Sequence, residues 1–181
     1  MNKSAIRTGV AALAVALCSA PVFAATRAEL NRDGTRVLKK LLATVPAAKA
    51  LNDKAVAVLV FPKITKAGLM IGGQYGEGVL LKGGKPVAYY STAGASYGLQ
   101  AGAQQYGYAM FFKYDKALNA LNEADGFEVG VGPSIVVVDS GMGKSTTSIT
   151  AQDDIYAFIF SQKGLMAGLG IQGNKITRLK K

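Results

Sequence analysis

Glycine is concentrated in the apolar part of this chain, and that distribution constrains the fold more than any other feature. Of the 22 glycines, 20 lie between residues 67 and 173, inside runs of apolar and aromatic residues. Glycine within strand-like segments marks bulges, sharp bends or the close approach of another backbone, because a residue without Cβ adopts those conformations at little cost. The distribution therefore predicts a strand-rich domain.

The sequence contains no histidine, which removes the commonest general base and metal ligand at neutral pH. Residues 140–146, SGMGKST, contain the end of a phosphate-binding loop, but Val138 stands where the motif needs its first glycine. A hairpin turn is the favoured interpretation of this segment. We expect no catalytic residue, no metal site and no cofactor, and so no enzyme.

The amino-terminal 24 residues have the organisation of a signal peptide. Lys3 and Arg7 precede a short apolar core at residues 10–17, and the triplet Val22-Phe23-Ala24 has the small residues that signal peptidases recognise. The core is far shorter than the roughly 20 residues that span a bilayer as a helix. The sequence predicts export to the periplasm, with a peripheral position on a membrane as one option.

Cys18 is the only cysteine and lies inside this signal. A lipoprotein signal would place its acylated cysteine there, but Leu17 stands where such signals carry a small residue. Anchoring through a lipid on Cys18 is therefore the less favoured alternative.

The exported chain would be strongly basic. Without its first 24 residues it has 157 residues, 19 of them basic and 11 acidic, and a net charge of +8. This charge suits anionic lipid, polyanionic polysaccharide or a cell-wall polymer. Nucleic acid is not an expected partner, because the protein is directed away from it.

Residues 25–50 form an amphipathic, basic helical pattern. Its apolar residues share one stripe at about 100° per residue, namely Leu30, Val37, Leu38, Leu41, Leu42 and Val45. Its basic residues lie on the opposite face, namely Arg32, Arg36, Lys39 and Lys40. Pro46 marks a break, which leaves one long helix and two shorter helices both open.

Short strands follow, separated by turn signals. They are predicted at residues 55–61, 68–81, 86–92, 106–114, 127–131, 135–139, 145–150, 155–161 and 165–171. Gly83 and Gly84 suit a tight hairpin, and Asp115 is a candidate N-cap for a helix at residues 115–122. The predicted fold class is α+β, with the amino-terminal helical segment packed on a strongly curved, mostly antiparallel β-sheet that is barrel- or sandwich-like.

Four blocks of this sequence together resemble a SYLF domain in order and spacing. They are residues 57–81, 98–112, 126–137 and 156–173, with Lys66 at a basic position of the family motif and Gly132-Pro133 in its Gly-Pro block. The resemblance extends over residues 51–176, so we expect a SYLF-like β-rich domain at residues 51–181.

The resemblance implies a lipid-binding domain. Some eukaryotic SYLF proteins bind phosphoinositides and some bind actin, and lipid binding in the family is attributed to a basic amphipathic helix at the start of the domain. That helix corresponds to the segment with Arg32, Arg36, Lys39 and Lys40. Actin is an unlikely partner for an exported protein.

The sequence therefore predicts a non-enzymatic domain that associates with anionic phospholipid membranes of the cell envelope. The expected lipid-binding residues are Arg32, Arg36, Lys39, Lys40, Lys63 and Lys66, and the membrane-insertion candidates are Leu38, Leu41 and Leu42. The helix has a net of about two charges, worth roughly 1 kcal/mol each, against the ~4 kcal/mol of a millimolar affinity. Further affinity must therefore come from apolar insertion, from oligomerisation, or from other basic groups, namely Lys63, Lys66, Arg178, Lys180 and Lys181. The alternative is a structural or protein-interaction module of the envelope without a lipid ligand. A homo-oligomer is compatible with either function.

Overall fold

The computed structural model describes residues 24–122, 127–128, 135–139 and 154–181. Its helices are α1 (Arg27–Thr44), α2 (Pro46–Asn52) and α3 (Asp115–Asn119), and a 3-10 turn, Ala120–Asn122, follows α3. Its strands are β1 (Ala57–Lys82), β2 (Lys85–Phe112), β3 (Phe127–Glu128), β4 (Ile135–Asp139) and β5 (Ile155–Leu179). Cys18, the Gly132-Pro133 block and the predicted turn and strand at residues 140–150 lie outside the described residues.

The strands form one sheet in the order β1-β2-β5-β3, with antiparallel pairing along this order. β4 pairs with β5 in parallel. The predicted α+β class, with helices first and a mostly antiparallel sheet after them, is confirmed. Within the described ranges the strand order does not close on itself, so the sheet is open.

Three long strands replace six of the short strands that the sequence predicts. Of the predicted strands, residues 57–61 and 68–81 belong to β1, 86–92 and 106–112 to β2, and 155–161 and 165–171 to β5. The glycine-rich stretches between them were wrongly expected to interrupt the strands. They bend the strands instead, with register shifts at Phe61/Ile64, Leu69/Ile71 and Gln105/Gly107.

β1 folds back so that its two halves are in contact. A Cβ placed on Gly78 would lie 2.6 Å from the carbonyl oxygen of Val60 and 2.6 Å from Phe61 Cδ1. Residues 61 and 78 would be roughly 56 Å apart on a straight strand. The sheet therefore bends sharply between them, and the absence of a side chain on Gly78 permits the contact.

The sheet has a buried core on each of its two faces, as the alternation of side chains along β1 shows. Val58 and Val60 pack with Leu38 and Leu41 of α1 on one face. The neighbouring Leu59 and Phe61 point to the other face, where the buried set includes residues of α3 and the 3-10 turn. Burial on both faces explains why this segment is continuously apolar.

The local signals at turns and helix ends are partly confirmed. The chain forms two amino-terminal helices, with Pro46 at the first position of α2, where its missing N–H does not matter. Gly83 and Gly84 have φ of 56° and 76°, and they form the predicted hairpin between β1 and β2. Asp115 is the first residue of α3 and Tyr114 is its N-cap, so the predicted capping role of Asp115 is wrong.

Candidate functional site

Helix α1 begins at a complete capping box. Thr26 accepts a hydrogen bond from the backbone N–H of Glu29, and the Glu29 carboxylate accepts from Thr26 N–H at 2.8 Å. The Glu29 carboxylate also accepts a hydrogen bond from the Thr26 hydroxyl. The bond from the Thr26 backbone N–H is the main cause that lowers the pKa of Glu29, and the bond from the hydroxyl is the second cause. The Glu29 carboxylate therefore serves as part of the helix cap, and the capping box fixes where α1 starts.

The basic face of α1 is partly neutralised by its own acid. Arg32 Nε and Arg36 Nη2 each lie 3.1 Å from Asp33 Oδ1, and the two arginine side chains are 69% and 73% exposed. The hydrogen bond from Arg32 is the main cause that lowers the pKa of Asp33. Lys39 and Lys40 are exposed on the same helix. The predicted basic residues thus share one helix, but only part of their charge is available to a ligand.

The leucines of α1 are not available for membrane insertion. Leu38 and Leu41 are 8% and 2% exposed, and Leu42 is half-buried against the same core. Their stripe packs on the sheet because the apolar faces of α1 and β1 cover each other. The prediction that Leu38 and Leu41 insert into a bilayer is wrong for the folded chain, and Leu42 offers only part of its surface.

A different apolar surface is exposed where β1 bends. Leu69, Met70 and Ile71 are 76%, 58% and 68% exposed, and we call these three residues the apolar tip. The register of β1 with β2 shifts between Leu69 and Ile71, and Met70 has a φ of 62°. A bulge turns side chains away from the regular alternation of a strand, which explains how three consecutive large apolar residues face outward.

Three lysines lie within the strands that lead to the apolar tip, and we call them the flanking lysines: Lys63, Lys66 and Lys163. Lys63 and Lys163 are exposed, whereas Lys66 is half-buried and engaged in a contact. Lys163 pairs with Gln105, which pairs with Thr65, so it lies about 10 Å across the sheet from Thr65. Of the predicted site residues, Lys66 and Lys63 therefore lie on β1 rather than on α1, about 10 Å and about 20 Å along the strand from Leu69.

The sequence carried a signal for the apolar tip that our prediction missed. Leu69-Met70-Ile71 is a run of three large apolar residues between Gly68 and the pair Gly72-Gly73. Glycines on both sides of such a run indicate that it lies in a bend. A bend exposes its outer side chains, whereas the middle of a buried strand does not.

A groove of about 760 Å³ lies between the start of α1 and the bent strand β1. Its charged lining residues are Glu29, Asp33, Lys63 and Glu77. The attraction of Lys63 also contributes to the low pKa of Asp33, after the hydrogen bond and charge of Arg32 and the charge of Arg36. The acids outnumber the single lysine here, so the groove itself does not suit an anionic headgroup.

Inside the bend of β1, polar side chains form hydrogen bonds with each other. Tyr106 Oη donates to Gln74 Oε1 at 2.9 Å, and Gln74 Nε2 donates to Asn174 Oδ1. Burial raises the pKa of Tyr106 to about 12, against a smaller lowering effect of the hydrogen bond to Gln74. This chain of bonds links β1, β2 and β5, so it holds the bent halves together and does not present a reactive group.

Comparison with known protein families identifies the carboxyl-terminal half of the chain. Residues 93–181 match the family model Ysc84, described as Las17-binding protein actin regulator. Residues 93–181 are thus similar to the SYLF domain family. No curated protein matches the chain.

The SYLF match covers three of the four sequence blocks in which the resemblance was seen. The first block, residues 57–81, precedes the matched residues. In the structure this block is β1, and it pairs with the SYLF strand β2 from Ala57↔Phe112 to Lys82↔Lys85. Helix α1 in turn packs on β1, so helix and SYLF strands share one core.

The match to the SYLF family model supports a lipid-binding or protein-interaction domain in general. Within the described ranges, no three carboxylate or thiol side chains come together as a metal site. Within the same described ranges, no helix is both long enough and apolar enough to cross a bilayer.

Proposed function

We propose that this protein is a non-enzymatic domain of the bacterial cell envelope that associates peripherally with anionic phospholipid membranes. The observation that carries the proposal is the apolar tip, Leu69, Met70 and Ile71, with the flanking lysines on the strands that lead to it. Side chains of this kind enter the acyl region of a bilayer, while lysines remain at the headgroups. The match to the SYLF family model supports lipid binding as a general property.

The tip supplies the free energy that the helix charges lack. Burying a large apolar side chain completely contributes about 1.5–3 kcal/mol. The exposed fractions of the three tip residues together equal about two full side chains, which gives roughly 3–6 kcal/mol. Each flanking lysine adds about 1 kcal/mol near an anionic surface. The apolar and lysine contributions together exceed the ~4 kcal/mol that a millimolar affinity requires, before the entropy cost of fixing the protein on the membrane is subtracted.

The spacing along β1 supports a position of Lys66 close to the headgroups of a bilayer that holds the tip. Lys66 precedes Leu69 by three residues, which is about 10 Å along a strand. The headgroup layer on each side of the hydrocarbon core is roughly 5–8 Å thick. With the tip inserted, Lys66 therefore lies at the outer side of the headgroup layer, and Arg36, Lys39 and Lys40 of α1 contribute only where they come within about a Debye length, roughly 10 Å, of the surface.

Sedimentation with lipid vesicles tests the proposal. We expect the protein to sediment with vesicles of phosphatidylcholine and phosphatidylglycerol, and much less with phosphatidylcholine alone. The double substitution Leu69→Asn with Ile71→Asn removes most of the binding. Val87→Asn is the matched control, because Val87 is 52% exposed but lies beside the β1–β2 hairpin rather than at the tip.

A second series tests the contribution of α1. Reversing Arg36, Lys39 and Lys40 to glutamate weakens binding to anionic vesicles and makes the remainder less sensitive to salt. Equal recovery on neutral and anionic vesicles would contradict the role of charge. Binding that survives the tip substitutions, or that falls equally in the Val87 control, would contradict the role of the tip.

A protein-interaction module is the second candidate function. The matched family is described as a Las17-binding protein actin regulator, and an exposed apolar cluster also suits a protein partner. Cross-linking at an introduced tip cysteine, Met70→Cys, separates the two functions. Capture of one defined protein by this variant, combined with no vesicle binding by the wild type, would favour the second candidate.

A further inference from the structure

The buried carboxylate of Glu77 contacts three parts of the chain: Ala25 before α1, Tyr75 on β1 and Lys181 after β5. Its side chain is only 7% exposed. Glu77 Oε2 accepts a hydrogen bond from the backbone N–H of Ala25 at 2.9 Å and lies 2.6 Å from Lys181 Nζ. Glu77 Oε1 accepts from the hydroxyl of Tyr75 at 3.0 Å. Lys181 also donates to the carbonyl oxygen of Ala25, so both ends of the described chain meet at Glu77.

The backbone nitrogen at this site belongs to the residue that follows the expected cleavage position. The triplet Val22-Phe23-Ala24 predicts cleavage after Ala24, which makes Ala25 the first residue of the exported chain. The ordered fold starts at the same place, because Thr26 caps α1 and the helix begins at Arg27. Ala24 is exposed, whereas Ala25 is half-buried.

We propose that Glu77 binds the new amino terminus of the processed protein as an ion pair with the α-ammonium group of Ala25. A signal peptidase hydrolyses the Ala24–Ala25 peptide bond. Water supplies the hydroxyl of the new carboxylic acid on Ala24 and the hydrogen of the new amine on Ala25, and that amine takes up a further proton at neutral pH. A neutral amide donor is thereby replaced by a charged one, which adds a direct Coulomb attraction to the hydrogen bond that the Glu77 carboxylate already accepts from this nitrogen.

The consequence is that processing strengthens the docking of α1 on the sheet. The amino end of α1 is connected through Thr26 and Ala25 to Glu77 of β1 and to Lys181. Before cleavage the same position carries a peptide bond and the leader. Removal of the leader thus adds a charge beside the buried Glu77 carboxylate, to which the start of α1 is linked through Ala25.

The test measures the reactivity of the α-amine in the exported protein. Intact mass first establishes the amino-terminal residue, which we expect to be Ala25. An acylating reagent is then applied near neutral pH, and the modified amino-terminal peptide is followed by mass spectrometry. We expect the wild-type amine to react about tenfold more slowly than that of Glu77→Gln, as a one-unit increase in the pKa of the amine requires.

Glu29→Gln is the matched control, because the Glu29 carboxylate accepts from Thr26 and not from Ala25. Its amine should react at the wild-type rate. If Glu77→Gln does not fold, the pH dependence of labelling in the wild type decides, because an amine paired with Glu77 has a pKa above the ordinary range. A different amino-terminal residue, equal rates in wild type and Glu77→Gln, or an ordinary pKa would each overturn the proposal.

Discussion

At the scale of single residues, Gly78 determines whether β1 can bend. The space where its side chain would lie is occupied by the Val60 carbonyl and the Phe61 ring, each 2.6 Å from a Cβ at this position. The carbonyl belongs to a paired strand and cannot move without disturbing the ladder. Any side chain here therefore separates the two halves of the strand.

We expect Gly78→Val to lower the free energy of unfolding by about 1–3 kcal/mol or more, the usual cost of overpacking. Urea denaturation followed by circular dichroism measures it. Gly73→Ala is the control on the same strand, because a Cβ there meets nothing closer than the Gly94 carbonyl oxygen at 3.8 Å. Equal losses for the two variants would contradict the close approach at Gly78.

Tyr106 gives the fold a defined sensitivity to alkaline pH. Burial raises its pKa to about 12 in the folded chain, whereas the unfolded chain has the ordinary value near 10. Between these values the unfolded state loses the proton first, so stability is complete below about pH 10 and falls as the pH rises toward about 12. The midpoint of urea unfolding should therefore decrease over this range, and less steeply in Tyr106→Phe. An equally steep decrease of the unfolding midpoint in the wild type and in Tyr106→Phe would show that other groups cause the loss of stability.

At the scale of elements, helix α1 divides its residues between packing and solvent. Leu41 is 2% exposed and packs in the core that β1 shares, whereas the tip residue Leu69 is 76% exposed. The two leucines therefore have opposite roles, although both were in segments that the sequence shows to be apolar.

We expect Leu41→Ala to cost about 2–5 kcal/mol of stability, as buried leucines do, and Leu69→Ala to leave stability nearly unchanged. Thermal unfolding measures both variants, and vesicle sedimentation below the unfolding transition gives the opposite ranking. A stable Leu41→Ala protein that fails to bind vesicles would restore this leucine as an insertion residue.

The elements also show why the sequence predicts some features and misses others. The break at Pro46 and the turn at Gly83-Gly84 depend on local backbone preferences, which a few residues determine, and both are confirmed. The length of β1 depends on whether its glycines end a strand or bend it. That depends on contacts such as Gly78 with Val60, which lie 18 residues apart and leave no local signal. The burial of Leu38 depends in the same way on which surface covers it.

At the scale of the whole molecule, the Glu77–Lys181 pair ties the amino-terminal segment, β1 and the end of the chain together. The side chains of the two residues are 7% and 16% exposed. Removing one partner of a buried pair leaves the other charge without compensation, which costs more than the pair contributes when intact.

We expect Lys181→Met to lower the free energy of unfolding by roughly 3 kcal/mol, the lower end for a broken buried pair. Urea denaturation is the suitable measurement, because urea does not screen charges. Lys180→Met is the control, since Lys180 is the exposed neighbour. A loss of similar size in both variants would mean that total charge, and not this pair, is responsible.

The position of β5 in the sheet has a consequence for how the protein is made. β5 is the latest strand in the described chain, yet it lies inside the sheet, with β2 on one side and β3 and β4 on the other. While residues 155–179 are still being synthesised, the hairpin of β1 and β2 has an unsatisfied edge some two dozen residues long, of the kind that associates with other chains. Contacts between residues so distant in sequence also form slowly. The polypeptide is therefore prone to aggregate until β5 pairs with β2. A chaperone that covers the edge of β2 until then would raise the yield of native protein.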